Sequence, residues 1–365
     1  MAIDPARRQL LKSGLALALG ACLPLPVLAG EAPLTLLVAW NGPGKRSFAG
    51  ALPRGNAALS GAVLPSRGHH LAPIPGRPGQ MLVFARRPGR SISRVDWQTG
   101  GELARYAYPE NRHGFGHGIF TPDGALYTTD SDIDSGNGLV TQRDPISLEA
   151  LAEWPSGGIG PHELLPLPDG RLLIANGGIL TLPETGRIKL NRASMQPTLT
   201  VFNPQSGKVD ASYTLPDKQL SIRHLAAAHD GSIGVALQYE GEEPAAPVLA
   251  RFHPRDGLAL LNAPVPAQNP ARGYAASVAC NGQRIAVTCP KGDTVLVWES
   301  DGRFVGKVDV PQASGVAATP DGRRFIVSSE TGLIVQFDAE RLVLLPELER
   351  RFDVMWDNHL TIIAG

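Results

Sequence analysis

Five histidines stand at matching places in a repeating chain: Gly68-His69, Gly116-His117, Pro161-His162, Arg223-His224 and Asn358-His359. Each opens an apolar stretch, and three of the stretches run on to Asp123-Gly124, Asp169-Gly170 and Asp230-Gly231. Neutral imidazole is the commonest protein ligand for copper, iron, zinc and nickel. Several imidazoles converging with an open position suit a catalytic or transport metal, because a structural site is normally closed by a fourth ligand. His69, His117, His162, His224 and His359 are therefore expected to hold a metal, with iron or copper as the cofactor. Glu163, Asp357 and Asn358 would support the ligands, Arg67 and Arg223 would supply anion-binding donors, and Tyr239 would stand at the same mouth. The competing expectation is structural, since a Gly-His pair near an inner strand also serves hydrogen-bond networks between neighbouring sheets. Phase tells against one member. His117 and His224 precede their aspartates by six residues and His162 by seven, and a one-residue slip turns a strand side chain to the other face. An extra turn residue at Pro166 to Pro168 would restore it.

The elements that must position these rings are strands. The unit is a short apolar strand, a turn, a β-branched strand, a turn and a further strand, as in Gly315-Val316-Ala317-Ala318, Pro320-Asp321-Gly322, Phe325-Ile326-Val327 and Gly332 to Phe337. Asp-Gly between apolar runs marks a hairpin, because glycine tolerates positive φ and aspartate bonds its own backbone. Inner strands beginning near His69, His117, His162, His224, Tyr274, Ser314 and His359 are spaced by roughly 40 to 60 residues, which suits one four-stranded propeller blade each. The expected fold class is all-β: a seven-bladed β-propeller closed by N- and C-terminal strands in one blade. The last unit has too few residues for a blade, whereas Leu34 to Trp40 is an orphan strand that can complete it and hide the sheet edges. The histidines would then form an arc over five consecutive blades, with Tyr274 and Ser314 on the open side.

Composition agrees with a turn-rich β protein: Gly 41, Pro 32, and charged residues 19%. Formal net charge is zero and no Lys/Arg-rich run occurs, so nothing suggests a nucleic-acid surface. Arg7-Arg8, Lys12, the apolar run from Gly14 to Leu23 and Val27-Leu28-Ala29 describe a twin-arginine signal peptide over residues 1–29, leaving 30–365 as a single propeller domain in the periplasm. Leu19-Gly20-Ala21-Cys22 also resembles a lipoprotein site that would leave the protein anchored at Cys22. The apolar run is too short to span a bilayer comfortably, which takes about 20 residues, and no later segment rivals it. Cys280 and Cys289 would be separate buried thiols, since an Asn281-Gly282 hairpin turn puts Cys280 opposite Gln283 and Cys289 far along the ladder.

Two insertions break the rhythm, at 131–137 and 182–197, and loops of that length are more often functional or mobile than structural. The first only superficially resembles a calcium loop, lacking EF-hand spacing and its distal glutamate. His113, His229 and His253 are expected to be exposed, and His70 competes with His69 for one role. Arg86-Arg87-Pro88-Gly89 and Gln238-Tyr239-Glu240-Gly241 read first as solvated loops. No haem-attachment Cys-x-x-Cys-His, Gly-x-Ser-x-Gly elbow or phosphate-binding glycine loop is present.

The strings Arg67-Gly68-His69, Ala85 to Gly89, Gly114 to Gly118, Gly158 to Leu164, Ala175 to Gly178, Ser221 to Leu225, Leu237 to Gly241 and Trp356 to Leu360 resemble the bacterial exported propeller family called domain of unknown function fifteen-thirteen. Gly-Pro-His-Glu-Leu is the most specific of them. The resemblance implies a periplasmic seven-bladed propeller encoded near imelysin-type and di-haem cytochrome-like proteins of iron acquisition, with such proteins as partners. It brings no activity and no catalytic residues. Cys280 and Cys289 depart from relatives that tend to lack thiols. Three functions compete: metal binding at the channel mouth, a metal-dependent oxidase, lyase or lactone hydrolase with Glu163 or Tyr239 as acid or base, and an interaction scaffold.

Overall fold

Burial falls away from the second strand of each sheet to the fourth. Leu172–Asn176 is buried at every position, whereas Lys208–Tyr213, at the edge of the same sheet, alternates exposed and half-buried residues. That gradient is the signature of sheets packed face to face around an axis, with only their outer edges reaching water. The computed structural model describes residues 34–363, apart from residues 54 and 56. It contains seven four-stranded antiparallel sheets, spanning 68–107, 112–155, 161–213, 220–261, 277–309 and 313–351, with the seventh built from both ends of the chain. This is a seven-bladed β-propeller. The proposed leader at 1–29, including Cys22, lies outside the described residues, and no helix among those described is long and apolar enough to cross a membrane.

The seventh blade puts Met355–Ile363 innermost and adds Thr35–Asn41, Ser47–Ala51 and Ala62–Leu64 outward. Leu37 pairs with Thr361 and Val38 with Leu360, and the Trp40 and Trp356 rings meet edge to face at 6.0 Å. Core clusters lie between blades. One joins Leu173, Val201, Leu220, Ile222, Val235 and Phe252 of blades three and four. Side chains on second strands also reach the next blade's innermost backbone. Thr129 donates to His162 O at 2.9 Å, Gln238 to Ala275 O at 2.9 Å and Thr288 to Ser314 O at 2.6 Å.

The Cys280 hairpin differs from expectation by one residue. Asn281 N–H donates to Arg284 O, so Gly282-Gln283 forms the turn and Cys280 pairs opposite Ile285. The Asn281 carboxamide dictates this, accepting from Gln283 and Arg284 N–H groups while donating to Gly322 O. Both thiols are free. In the 131–137 insertion, Asp132 is engaged by Arg112 at 2.8 Å and by Ser135 N–H at 2.9 Å.

A buried ion pair knits the ladder of blade two to blade one. Arg143 reaches Asp130 at 2.6 Å, donates to Thr128 Oγ1 and Leu148 O, and stacks over Tyr106 and Tyr108, while Tyr108 Oη also donates to Asp130. Removing the acid would strand a cation where no water can reach it, so Asp130→Ala should destabilise the fold by about 3–5 kcal/mol. Urea unfolding followed by tryptophan fluorescence checks this, and Ala replacement of Glu102, the half-buried partner of the exposed Arg105, should change little by comparison.

Candidate metal centre

Wherever an inner strand carries a channel histidine, its pairing is broken at that point. Register shifts fall between Gly68 and Leu71, Gly114 and Gly118, Pro161 and Leu164, and Ile222 and His224, and the blade-seven ladder slips between Val38 and Trp40. A bulge lets consecutive residues escape strict alternation and re-aims side chains. This brings His162 into line. Its turn, closed by Leu167 and Arg171, has the same form as those closed by Thr121 and Ala125 and by Ala228 and Ser232. The extra residue is absorbed in the bulge, not in the turn as the phase argument required.

The five histidines meet in the channel. Ring centroids lie 4.5 Å apart for His69–His359, 4.7 Å for His117–His162 and His162–His224, 4.8 Å for His224–His359 and 4.9 Å for His69–His117. His70 joins as a sixth, stacked on His117 at 5.3 Å. Gly116 makes the approach feasible: its φ is +95°, and a Cβ there would lie 2.8 Å from the His69 ring. Ligand atoms come within 4.8 Å of one another in three groups: His69, His117 and His359; His69, His162 and His224; and His117, Glu163 and His224. These groups could hold a metal ion.

Carboxylates orient two of the rings. His69 Nδ1 lies 2.7 Å from Asp357 Oδ1, and His224 Nδ1 lies 3.0 Å from Glu163 Oε2, which also accepts the Leu225 N–H. With Nδ1 donating, the Nε2 lone pair of each ring is left for a ligand role. Burial pushes Asp357 up, but Arg86, His69 and Arg67 overcome it and hold the carboxyl well below its usual range. Arg67 bonds Asp357 directly. Glu163 is lifted to about 7 by desolvation, against the pull of His70 and the Leu225 N–H. Desolvation takes His69 and His224 down to about 3 and His70 to about 4, and drives His117, His162 and His359 well below the normal imidazole value. The rings are thus neutral, as metal ligation requires. Buried ring nitrogens without a hydrogen-bond partner include His69 Nε2, His162 Nδ1, His359 Nε2 and both nitrogens of His117. Such orphaned polar atoms are rare in native structures, and an ion would satisfy several at once.

The cluster parts two spaces. On one side His69, His162 and His224 face a cleft shared with Arg86, Arg87, Arg187, Gln238, Tyr274 and Asn358. On the other, His70, Glu163 and His359 line a chamber of about 340 Å³ with Ser277, Val316 and Thr361. Tyr274 precedes the inner strand of blade five and lies at the cleft, while Ser314 is buried with its hydroxyl unpartnered. Asn358 donates to Ala276 O. Arg223 is buried, with Nε and Nη2 unpartnered. Tyr239 is not brought to the cluster: alternation gives the inward position to Gln238, and the phenol turns toward Asp217. His113, expected in solvent, is fully buried in the strand Arg112–Phe120 against Phe115. His229 is exposed, and His253 is half-buried beside Asp256. Arg87, read as part of a solvated loop, is 5% exposed.

A histidine-walled channel in a closed ring of seven blades defines a β-propeller with a candidate metal centre. The chain belongs to the family described as protein of unknown function (DUF1513), whose model matches residues 62–363. No match was found among curated proteins.

The lowered imidazole values fix a pH dependence for the metal-free protein. In the unfolded chain histidine takes up protons near pH 6.5, whereas His69, His70 and His224 resist until about 3 to 4 in the fold. Stability present above pH 6.5 is therefore lost progressively as pH falls toward 3. Glu163 runs the other way, favouring the fold at low pH and losing that contribution between its ordinary 4.5 and about 7. Six rings outweigh one carboxyl, so denaturant midpoints should fall steadily from pH 7 to pH 4.5, and a flat profile would contradict a dehydrated neutral cluster.

Proposed function

We propose that this protein is exported to the periplasm and holds an iron or copper ion among its channel histidines, for metal uptake or handling. The supporting observation is His117, buried at the middle of the cluster with both ring nitrogens unpartnered and ring contacts to His69, His70, His162, His224 and His359. An all-imidazole donor set suits Cu(II) and Fe(II), with Cu(II) favoured by the general order of divalent affinities. Asp357 and Glu163 would hold two ligands in the correct tautomer and raise their basicity. When bound, the ion would act as cargo or as a Lewis acid at an open position. Imelysin-like or cytochrome-like periplasmic proteins are the partners proposed to exchange it. The enzymatic alternative is weaker, because Tyr239 stands away from the rings and the imidazoles are nearly closed to solvent.

Metal analysis after anaerobic loading with Fe(II), and separately with Cu(II), tests the reading. One tightly held ion per chain is expected, with nitrogen hyperfine structure in the Cu(II) electron paramagnetic resonance spectrum. Joint replacement His117→Ala and His224→Ala should abolish retention, and Glu163→Gln should weaken affinity by about 10–100-fold while the protein stays folded. Unchanged stoichiometry and affinity in both variants would rule the site out.

A further inference from the structure

The cleft beside the rings has an electrostatic character that a metal does not explain. Arg86, Arg87 and Arg187 line it, and Arg223 is close enough for its charge to act on Arg87. Arg67 and Lys189 add two more cations, while the carboxylates facing them are Asp357, shared by Arg67 and Arg86, and Glu240, which bonds Lys189. Six cations thus meet two acids. Arg87 makes no ion pair or hydrogen bond among the described residues, and its buried Nη1 has no partner; Arg223 leaves Nε and Nη2 unpartnered at 1% exposure. A buried guanidinium with free N–H groups is costly unless something of opposite charge takes them. Planar guanidinium forks match the paired oxygens of carboxylates and phosphates.

The 182–197 insertion supplies one wall. Asn191 pins its base by accepting from Leu180 N–H and donating to Gly178 O, and Arg192 donates to Glu240 O, so the exposed Arg187 is carried to the lip of the cleft. Gln238, Tyr274 and Asn358, from other blades, add polar groups to the lining. The cleft to its open mouth encloses about 260 Å³, of which only about 10 Å³ is wide enough for a water, so an oxyanion would be received at the mouth, where the exposed Arg187 side chain can swing aside.

We infer that this cleft is a binding site for a small, multiply charged oxyanion, of the phosphate or dicarboxylate class, held by Arg87 and Arg187 with Arg223 behind them. The inference goes beyond metal binding and stands without it, so it is tested on chelator-treated, metal-free protein. Titration calorimetry and thermal melting with inorganic phosphate and with oxalate, at ionic strength held constant by sodium chloride, separate the two sources of oxyanion. Saturable binding of one ion per chain is expected, with a rise in melting temperature. Arg87→Gln should weaken it by about tenfold or more, since a charge-assisted hydrogen bond is lost, and Arg187→Gln, a change on the exposed rim that leaves the core intact, should weaken it severalfold. His117→Ala, outside the cleft lining, should leave oxyanion binding in place while weakening metal retention, which separates the two sites. Binding of neither anion at millimolar concentration, or equal affinity in wild type, Arg87→Gln and Arg187→Gln, would overturn the proposal.

Discussion

Everything at the centre of this molecule depends on the pairing of Met355–Ile363 with Thr35–Asn41. That antiparallel ladder joins the two ends of the chain in one sheet and completes a ring in which the innermost strands touch in order. Closure delivers Asp357 to His69, a partner 288 residues away, and His359 to four other rings. An open arc of six blades would lack His359 and leave His69 without its carboxylate partner. The edge-to-face pair of Trp40 and Trp356 and the fully buried Leu37 make the seam as dry as any interior ladder, so it is held by the same apolar burial that holds the other blades.

The second determinant is dehydration. Six imidazoles packed within van der Waals reach cannot all be charged, and burial removes the water that would otherwise hydrate an imidazolium. Asp357 and Glu163 then divide the labour. The first, facing Arg67 and Arg86, stays firmly ionised; the second, with only a ring and a backbone N–H to favour its charge, sits near neutrality. Two rings at one depth therefore have carboxyl partners of different character, one fixed and one sensitive to its surroundings.

Much of the architecture is legible in the sequence. Asp-Gly hairpins, β-branched second strands and the recurrence of histidine at blade intervals gave seven blades and the shared closing sheet, because turn chemistry and alternation are local. The convergence of His69, His117, His162, His224 and His359 followed from repeat equivalence alone. What escaped was everything set by bulges and by long-range contacts. Period-two counting put His162 out of phase, and no local signal announces that the strand bulges between Pro161 and Leu164. The same bulge logic admits His70 beside His69, where strict alternation allowed only one of them. Tyr239 was placed at the mouth because it closes a second strand, and alternation sends it outward. Arg87 read as a surface arginine since its burial is imposed by neighbouring blades and by the 182–197 segment. His113 was misplaced for a similar reason: the strand Arg112–Phe120 begins earlier than its glycines suggested.

The two spaces on either side of the rings are unlike each other, one crowded with guanidinium groups and the other lined by Val278, Ala279, Val316, Ala317 and Leu360. With His69, His117, His162 and His224 no more than 4% exposed, the bore is stoppered at mid-height. The layer of rings thus divides the bore into two unequal bowls, and a guest on the arginine side meets the rings from that side.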